Sequence, residues 1–314
     1  MRVASLENLG CSSELLEKNK KRLSDLGHEF VQYEKTDNLE KLKQELKDTD
    51  IVLLANMPLP AEALADAKNV KFIDVAFTGV DHIPMNDARV RGITVSNASG
   101  YADQAVAELC VSFMIQLLRD LPRANERTRE GKTKNGLRAN LLQGKTVGLI
   151  GAGAIGKRLA ALLKAFGAKV VAHNRRPVND PNIDESLSLD ELLRASDIVS
   201  LHTPLTPETK GLIGEKELGK MKKSAFLINT ARGPVVDNKA LADALNKDLI
   251  AGAAIDVFDM EPPLPSDYPL LNCKNIILSP HIAFYSEESL EKRAETAFEN
   301  LYAWLEGSPR NVIK

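Results

Sequence analysis

Three glycines with a fixed spacing follow a short apolar run near the middle of the chain. The run Thr146–Ile150 leads into Gly151, Gly153 and Gly156, spaced G-x-G-x-x-G, and a helical pattern opens at Ala154. In a strand-to-helix turn the first glycine makes the tight turn, the second lets backbone approach a pyrophosphate, and the third lets helix and strand pack closely. Free N–H groups at the positive end of the helix then hold the pyrophosphate. The segment therefore predicts a dinucleotide site rather than a plain structural turn.

The residues at the end of the next apolar run bear on the choice of dinucleotide. An NAD enzyme usually carries Asp or Glu about 20 residues past the glycines, where it binds the ribose hydroxyls. Asn174 occupies this position, and Arg175 and Arg176 follow it. Because guanidinium groups form charge-assisted hydrogen bonds with phosphate, the pattern favours NADP(H), with NAD(H) as the alternative cofactor. In the competing interpretation the two arginines are solvated loop charges.

Three later segments place a guanidinium, a carboxylate and an imidazole directly after apolar runs: Asn229–Gly233, Asp256–Pro262 and Ser279–Ile282. Open α/β sheets bind their ligands at the carboxyl ends of parallel strands, so these side chains can converge.

The convergent side chains suit the reduction of a 2-oxo acid. Arg232 can clamp a carboxylate and polarise the adjacent carbonyl. His281 can supply the proton that the new alkoxide needs, and Glu261 can orient His281 and stabilise its charged form. Each residue alone is commonplace, but their joint position behind a dinucleotide turn predicts an enzyme that transfers a hydride. No group of residues has the spacing of metal ligands, and we expect no metal.

The elements that must position these residues alternate between short apolar runs and amphipathic helices, a pattern typical of βαβ units on parallel sheets. The fold class we expect is α/β, with two doubly wound parallel-sheet domains, one flavodoxin-like and one of the Rossmann type. Between them, Asp103–Arg119 is apolar on nearly all sides and is expected to continue into Arg123–Gly131. A helix of this kind is buried in a core or an interface, so it predicts a homodimer. The predicted strands are Arg2–Ser5, Phe30–Tyr33, Ile51–Ala55, Phe72–Val75, Thr94–Ser96, Thr146–Ile150, Lys169–His173, Ile198–Leu201, Ala225–Asn229, Gly252–Asp256 and Ile276–Leu278.

Length, charge and cysteine content exclude several functions. A chain of 314 residues suggests two domains. A net charge of −2 gives no field that would attract nucleic acid or a membrane surface, and no apolar stretch is long enough to span a bilayer. The three cysteines are far apart, which fits a reducing compartment and predicts a cytoplasmic protein.

Together these motifs resemble the D-isomer-specific 2-hydroxyacid dehydrogenases, a family that includes D-lactate, glyoxylate/hydroxypyruvate and phosphoglycerate dehydrogenases. The resemblance covers essentially the whole chain and includes Leu201–Thr209, L-H-T-P-L-T-P-E-T, which is typical of the family's nicotinamide-side loop. It implies that Arg232, Glu261 and His281 carry the family's catalytic roles. Its substrate would be a small 2-oxo or 2-hydroxy acid, of the glyoxylate, hydroxypyruvate or pyruvate type.

The resemblance also implies a set of binding residues. Asp256 falls where the family meets the nicotinamide carboxamide. Thr78 and Gly79 lie in a loop, Ala76–Asp81, similar to the one whose backbone N–H groups bind the substrate carboxylate, although Gly79 is equally consistent with a simple turn. Met57 matches a loop that shapes the substrate pocket, where a methionine more often packs than recognises. The cofactor-binding candidates are Gly151, Gly153, Ala154, Ile155, Gly156, Asn174, Arg175, Arg176, Thr203, Pro204, Thr230, Ala231, Asp256 and Asp103.

The family's chain path implies a substrate domain of residues 1–98 plus 283–314 and a dinucleotide-binding domain of residues 99–282. A cleft between such domains closes on substrate and excludes water. After His281 the chain reads I-A-F-Y-S-E-E, similar to the branch that includes the C-terminal-binding transcriptional corepressors, and Tyr285 then lines the substrate pocket. A dinucleotide-sensing binding protein is therefore the alternative to an enzyme.

Overall fold

The computed structural model describes residues 1–313, which form two compact units. One unit contains Met1–Ala102 and the chain from Tyr285 onward, and the other contains Asp103–Phe284. The strands are β1 (Arg2–Ser5), β2 (Glu29–Gln32), β3 (Ile51–Leu54), β4 (Phe72–Val75), β5 (Thr94–Asn97), β6 (Thr146–Ile150), β7 (Lys169–His173), β8 (Glu185–Ser186), β9 (Ile198–Leu201), β10 (Phe226–Asn229), β11 (Gly252–Ile255) and β12 (Ile276–Leu278). The helices are α1 (Ser13–Asp25), α2 (Leu39–Leu46), α3 (Ala61–Asp66), α4 (Met85–Val90), α5 (Asp103–Arg119), α6 (Leu121–Arg129), α7 (Ala154–Ala165), α8 (Leu189–Ala195), α9 (Glu215–Leu218), α10 (Asn238–Asn246) and α11 (Glu287–Leu305).

The first unit is built on a five-stranded parallel sheet with the order β2-β1-β3-β4-β5, the flavodoxin-like arrangement. Every residue of β3 and β4 is buried, as expected for central strands covered on both faces. The C-terminal helix α11 packs on this sheet, with Ala294, Phe298 and Leu301 in one core with Phe72. Burial of each large apolar side chain stabilises the unit by about 1.5–3 kcal/mol.

Helix α11 is also tied to the loop after β1 by polar contacts. Ser12 caps α1 by accepting a hydrogen bond from the N–H of Leu15. The Ser12 N–H and hydroxyl both donate to the Glu291 carboxylate of α11, at 2.7 and 2.6 Å. These contacts fix the turn that leaves the carboxyl end of β1.

The second unit is built on a seven-stranded parallel sheet with the order β12-β11-β10-β9-β6-β7-β8. This is the dinucleotide-binding order, extended by one strand beyond β11. The two parallel-sheet α/β units confirm the predicted fold class. All eleven predicted strands are present with ends within one residue of the prediction, and the additional strand is the two-residue, exposed β8.

The expectation that the helix Asp103–Arg119 continues into Arg123–Gly131 is wrong. Helix α5 ends at Arg119, and Asp120 adopts a left-handed conformation with φ 54° before α6 begins. Pro122 has no N–H to donate to the carbonyl of Leu118. That carbonyl accepts instead from the N–H of Asn140, at 3.1 Å. Pro122 therefore interrupts the helical hydrogen bonds at this point, and the carbonyl of Leu118 keeps a partner in Asn140.

In the described part of the chain, no helix combines the length and the apolar character needed to cross a membrane.

Candidate active site

The glycine turn joins β6 to α7 with no room for side chains at two of its three glycines. Gly151 has φ +93°, and a Cβ there would lie 2.6 Å from the carbonyl oxygen of His202. A Cβ on Gly156 would lie 2.5 Å from the carbonyl oxygen of Gly151. The turn therefore needs glycine at both positions, because any side chain would push the ends of β6 and β9 apart.

The remaining glycine, Gly153, lies beside an open space at the start of α7. Gly153 is the N-cap of this helix and is exposed, no side chain caps the helix, and no atom lies within 4 Å of the position of an added Cβ. Ala154 and Ile155 open the helix, so their N–H groups face a region that can take an anion. Among the described residues, the Thr203 hydroxyl after β9 is buried and lacks a hydrogen-bond partner. An open helix end and an unpaired polar atom fit a dinucleotide cofactor.

Asn174 connects the glycine turn to the two arginines that follow β7. Its Oδ1 atom accepts from the N–H of Ala152 at 3.5 Å, and its Nδ2 atom donates to the carbonyl of Arg176 at 3.1 Å. Asn174, Arg175 and Arg176 are all exposed. The structure thus places both guanidinium groups beside the turn on a segment that the Asn174 amide holds in place.

The loop after β10 carries Arg232 and is fixed by a buried amide. Asn229 is fully buried, its Oδ1 accepts from the N–H of Ala231 at 3.0 Å, and its Nδ2 donates to the carbonyl of Arg232 at 3.0 Å. The Arg232 guanidinium donates to the carbonyl of Ala231 at 2.8 Å. A Cβ on Gly233 would lie only 1.8 Å from the carbonyl of Phe258, so this loop packs directly against the loop after β11.

Asp256, at the end of β11, organises the loop that carries His281. Its carboxylate is fully buried and accepts hydrogen bonds from the Ser279 hydroxyl and from the N–H groups of Ile282 at 2.9 Å and Ala283 at 2.8 Å. Its backbone carbonyl accepts from the N–H of His281 at 2.8 Å. His281 has φ +57°, a costly conformation for a side chain of this size, which these bonds stabilise.

Glu261 and His281 form a hydrogen-bonded pair. Nδ1 of His281 lies 2.9 Å from Oε1 and 3.2 Å from Oε2 of Glu261. The His281 side chain is 13% exposed and that of Glu261 is 62% exposed. The Phe284 ring meets the imidazole edge-on at 5.4 Å. The carboxylate of Glu261 thus holds the imidazole of His281 in place through Nδ1.

Two titratable side chains near this site were not among the predicted residues. Burial lowers the pKa of His202 to about 4, so its ring is neutral at pH 7, and its Nε2 lies 2.9 Å from the Ser200 hydroxyl. Burial also raises the pKa of Cys110 to about 11, and its Sγ lies 3.3 Å from the hydroxyl of Thr230. A thiol with such a pKa stays protonated and is no nucleophile at neutral pH.

In the first unit, the predicted substrate residues lie at the carboxyl ends of β3 and β4. Thr78 and Gly79 are half-buried, and the Thr78 carbonyl accepts from the Asn97 amide at 2.6 Å. Met57 is 1% exposed, and its N–H donates to the carboxylate of Glu7 at 2.8 Å. Glu7 also accepts from the N–H of Ala55 at 2.8 Å, so it braces this loop. Glu7 follows β1 with no motif around it, and the sequence gives no sign of this role.

Tyr285 is 65% exposed and begins the part of the chain that returns to the first unit.

In the second unit, the structure brings one group of predicted residues to the carboxyl edge of a single sheet. Asp103 is half-buried at the first position of α5. The residues at the sheet edge are Gly151, Gly153, Gly156, Asn174, Thr203, Pro204, Thr230, Ala231, Arg232, Asp256, Glu261 and His281.

A dinucleotide-type sheet with a tight glycine turn, an arginine and a carboxylate–histidine pair at its carboxyl edge defines a nicotinamide-dependent dehydrogenase. The family model for the "D-isomer specific 2-hydroxyacid dehydrogenase, NAD binding domain" matches residues 111–283. The chain belongs to the D-isomer specific 2-hydroxyacid dehydrogenase family, which confirms the resemblance seen in the motifs. It is therefore a nicotinamide-dependent oxidoreductase that interconverts a 2-oxo acid and a 2-hydroxy acid.

Individual relatives match over most of their length. The chain is 42% identical to the glyoxylate reductase of Thermofilum pendens, over 85% of this chain and 82% of the relative. It is 33% identical to the hydroxypyruvate reductase of Blautia hydrogenotrophica, over 93% and 94%. Among solved structures, an acyclic imino acid reductase in complex with NADPH and D-Arg superposes with a TM-score of 0.92 at 30% identity, covering all of both chains.

Proposed function

We propose that this protein reduces a small 2-oxo acid of the glyoxylate or hydroxypyruvate type to the D-2-hydroxy acid, with NADPH as the favoured reductant. The hydrogen-bonded pair of Glu261 and His281 supports this proposal most, since the loop of Glu261 packs against the loop of Arg232. The names of the glyoxylate and hydroxypyruvate reductases among the relatives support the choice of substrate.

Each catalytic side chain has a distinct task in this proposal. When bound, the nicotinamide supplies the hydride that reduces the 2-carbon. Arg232 binds the substrate carboxylate and polarises the 2-oxo group through its guanidinium N–H groups. His281 donates a proton from Nε2 to the oxygen that becomes the hydroxyl, while Glu261 at Nδ1 stabilises the charged imidazole. In the oxidative direction His281 accepts that proton.

The two units divide the binding tasks. Residues 99–282 are the proposed dinucleotide-binding domain, and residues 1–98 with 283–314 are the proposed substrate domain. In the latter, backbone N–H groups of Thr78 and Gly79 bind the substrate carboxylate, and Met57 and Tyr285 shape the pocket. The bracing of the Met57 loop by Glu7 supports a rigid binding role.

The preference for NADPH rests on charge near the glycine turn. An amide, that of Asn174, rather than a carboxylate comes directly after β7, and it holds a segment on which two exposed guanidinium groups lie beside the turn. A 2′-phosphate is stabilised by such groups, whereas a carboxylate would repel it. The NADPH complex of the imino acid reductase shows that a chain of this architecture takes NADPH.

We also place the protein in the cytoplasm as a homodimer. Three free cysteines fit a reducing compartment. Helix α6 has no buried residue, and Leu121 and Leu141 expose 45% and 63% of their surface, which fits contact with a second copy. Sedimentation showing a monomer at micromolar concentration would refute the dimer.

A panel of 2-oxo acids assayed with NADPH and with NADH tests the function. The proposal expects turnover of glyoxylate or hydroxypyruvate, with the D-hydroxy acid identified by chiral chromatography. Tight dinucleotide binding without turnover of any 2-oxo acid would support the corepressor-like alternative.

A further inference from the structure

A buried tyrosine outside every predicted motif contacts the segment that carries Glu261. The Tyr268 hydroxyl donates a hydrogen bond to Oδ1 of Asp259 at 2.6 Å and accepts one from Nδ2 of Asn238 at 2.9 Å. Tyr268 is 4% exposed, and its ring packs edge-on against Phe258 at 5.7 Å. Asn238, the first residue of α10, is also buried. A fixed helix end thus holds the hydroxyl that binds Asp259.

The segment between Phe258 and Glu261 is held at two points. Its backbone at Phe258 lies against Gly233, and its side chain at Asp259 is bonded to Tyr268. Glu261 follows two residues later on the same segment, and its side chain is 62% exposed. The contacts at Phe258 and Asp259 therefore fix the backbone from which Glu261 reaches Nδ1 of His281.

The tyrosine has the right protonation state for this task. Burial and the neighbouring Asp259 carboxylate raise the pKa of Tyr268, so the phenol keeps its proton at neutral and moderately alkaline pH. The hydroxyl of Tyr268 contacts the carboxylate of Asp259, and Nδ1 of His281 contacts the carboxylate of Glu261. A protonated phenol donates a strong hydrogen bond to the Asp259 carboxylate.

We propose that Tyr268, with Asn238 behind it, is a positioning residue that holds the Asp259–Glu261 segment so that Glu261 stays bonded to His281. This inference rests on the proposed function, in which that pair handles the proton. Loss of the hydroxyl loosens Glu261 and weakens the stabilisation of the charged imidazole.

The test is Tyr268→Phe, which keeps the ring and removes only the hydroxyl. We expect kcat for reduction at neutral pH to fall by about three- to tenfold. The pH profile of the rate should move in the same direction as that of Glu261→Gln. The KM for NADPH should stay within about twofold. In the double variant Tyr268→Phe/Glu261→Gln the two shifts of the pH profile should not add, because both substitutions act on the interaction between Glu261 and His281.

Three further variants separate positioning from general stability. Tyr302→Phe removes a similarly buried hydroxyl, bonded to Asn19 at 2.9 Å in the first unit, and should leave the pH profile unchanged. Asp259→Asn keeps an oxygen that accepts from Tyr268 and should stay near wild type, whereas Asp259→Ala should behave like Tyr268→Phe. Asp259 is exposed, so these variants should fold even if Tyr268→Phe does not.

Each outcome bears on one claim. The positioning role alone would be overturned if Tyr268→Phe or Asp259→Ala kept the kcat and pH profile of wild type while Glu261→Gln shifted the profile. An unchanged profile in Glu261→Gln would instead overturn the proposed proton chemistry, and the positioning role with it.

Discussion

The backbone of Phe258 lies so close to Gly233 that a Cβ on the glycine would be 1.8 Å from the Phe258 carbonyl carbon. This contact joins the loop of Arg232 to the loop of Glu261, two side chains for which we propose different tasks in one reaction. The relative position of the two loops is therefore set by backbone packing.

Gly233→Ala should disturb this packing. Because neighbouring backbone rather than a movable side chain fills the space, we expect a loss of about 1–3 kcal/mol in stability and a lower kcat/KM. Gly214→Ala is the matched control, since a Cβ there meets only ordinary contacts, at 3.7 Å from Glu217 Oε2. Thermal melting and steady-state kinetics measure both effects. Equal melting temperatures and activities for the two variants would show that the loops are not locked together.

Glu261→Gln should shift the pH dependence of both reaction directions toward lower pH. Reduction needs the protonated imidazole of His281, so its rate falls as the pH rises, and oxidation shows the opposite trend. A neutral amide at 2.9 Å stabilises the imidazolium less than a carboxylate does. Rate–pH profiles with saturating cofactor measure the shift. Arg232→Ala should instead lower the rates at every pH, because it removes substrate binding and polarisation and no proton.

The double variant Asn174→Asp/Arg175→Ala should shift the cofactor preference from NADPH toward NADH. Its kcat/KM should fall for NADPH and rise for NADH, because a carboxylate that can bind ribose hydroxyls replaces an amide and a phosphate partner is lost. The exposed Arg194→Ala, also in the second unit, is the control and should leave the preference unchanged. If wild type already prefers NADH by tenfold, about 1.4 kcal/mol, the NADPH assignment is wrong.

Asp74→Asn should stabilise the first unit at neutral pH. The Asp74 carboxyl is fully buried on β4 and accepts from the Asn300 amide at 3.1 Å, and its second oxygen has no partner among the described residues. Burial raises the pKa of this carboxyl well above its ordinary value, so the folded state retains a proton that the unfolded chain releases. Stability is therefore full below the unfolded pKa of about 4 and is lost as the pH rises toward the folded pKa.

Urea denaturation at several pH values measures this effect. The stability of wild type relative to that of Asp74→Asn should fall as the pH rises from about 4 to neutral. Asp25→Asn, at an exposed position of α1, should follow wild type. Parallel curves for wild type and Asp74→Asn would mean that Asp74 is charged in the folded protein.

The sequence predicted the elements whose signals are local. Apolar runs located the strands, and a continuous apolar helix located α5. Strand β8 was missed because its two exposed residues carry no pattern. The break at Asp120 depends on Asn140 taking over a carbonyl, a contact between distant residues.

The same distinction applies to the candidate site. Arg232, Glu261 and His281 were chosen from residue type and position after a strand. The groups that brace them, such as Asn229 and Tyr268, are common residue types whose roles come from tertiary contacts. Such contacts join residues that are not neighbours in the chain, so no single segment reveals them.

The central claim is that His281 donates the proton during reduction, and one measurement tests it most directly. NADPH oxidation by wild type and by His281→Ala is followed with saturating glyoxylate or hydroxypyruvate across a range of pH. We expect a loss of about 10²–10⁴-fold in kcat for His281→Ala, the usual contribution of a positioned acid, together with loss of the pH dependence. A near-normal kcat with an unchanged pH profile in His281→Ala would contradict it.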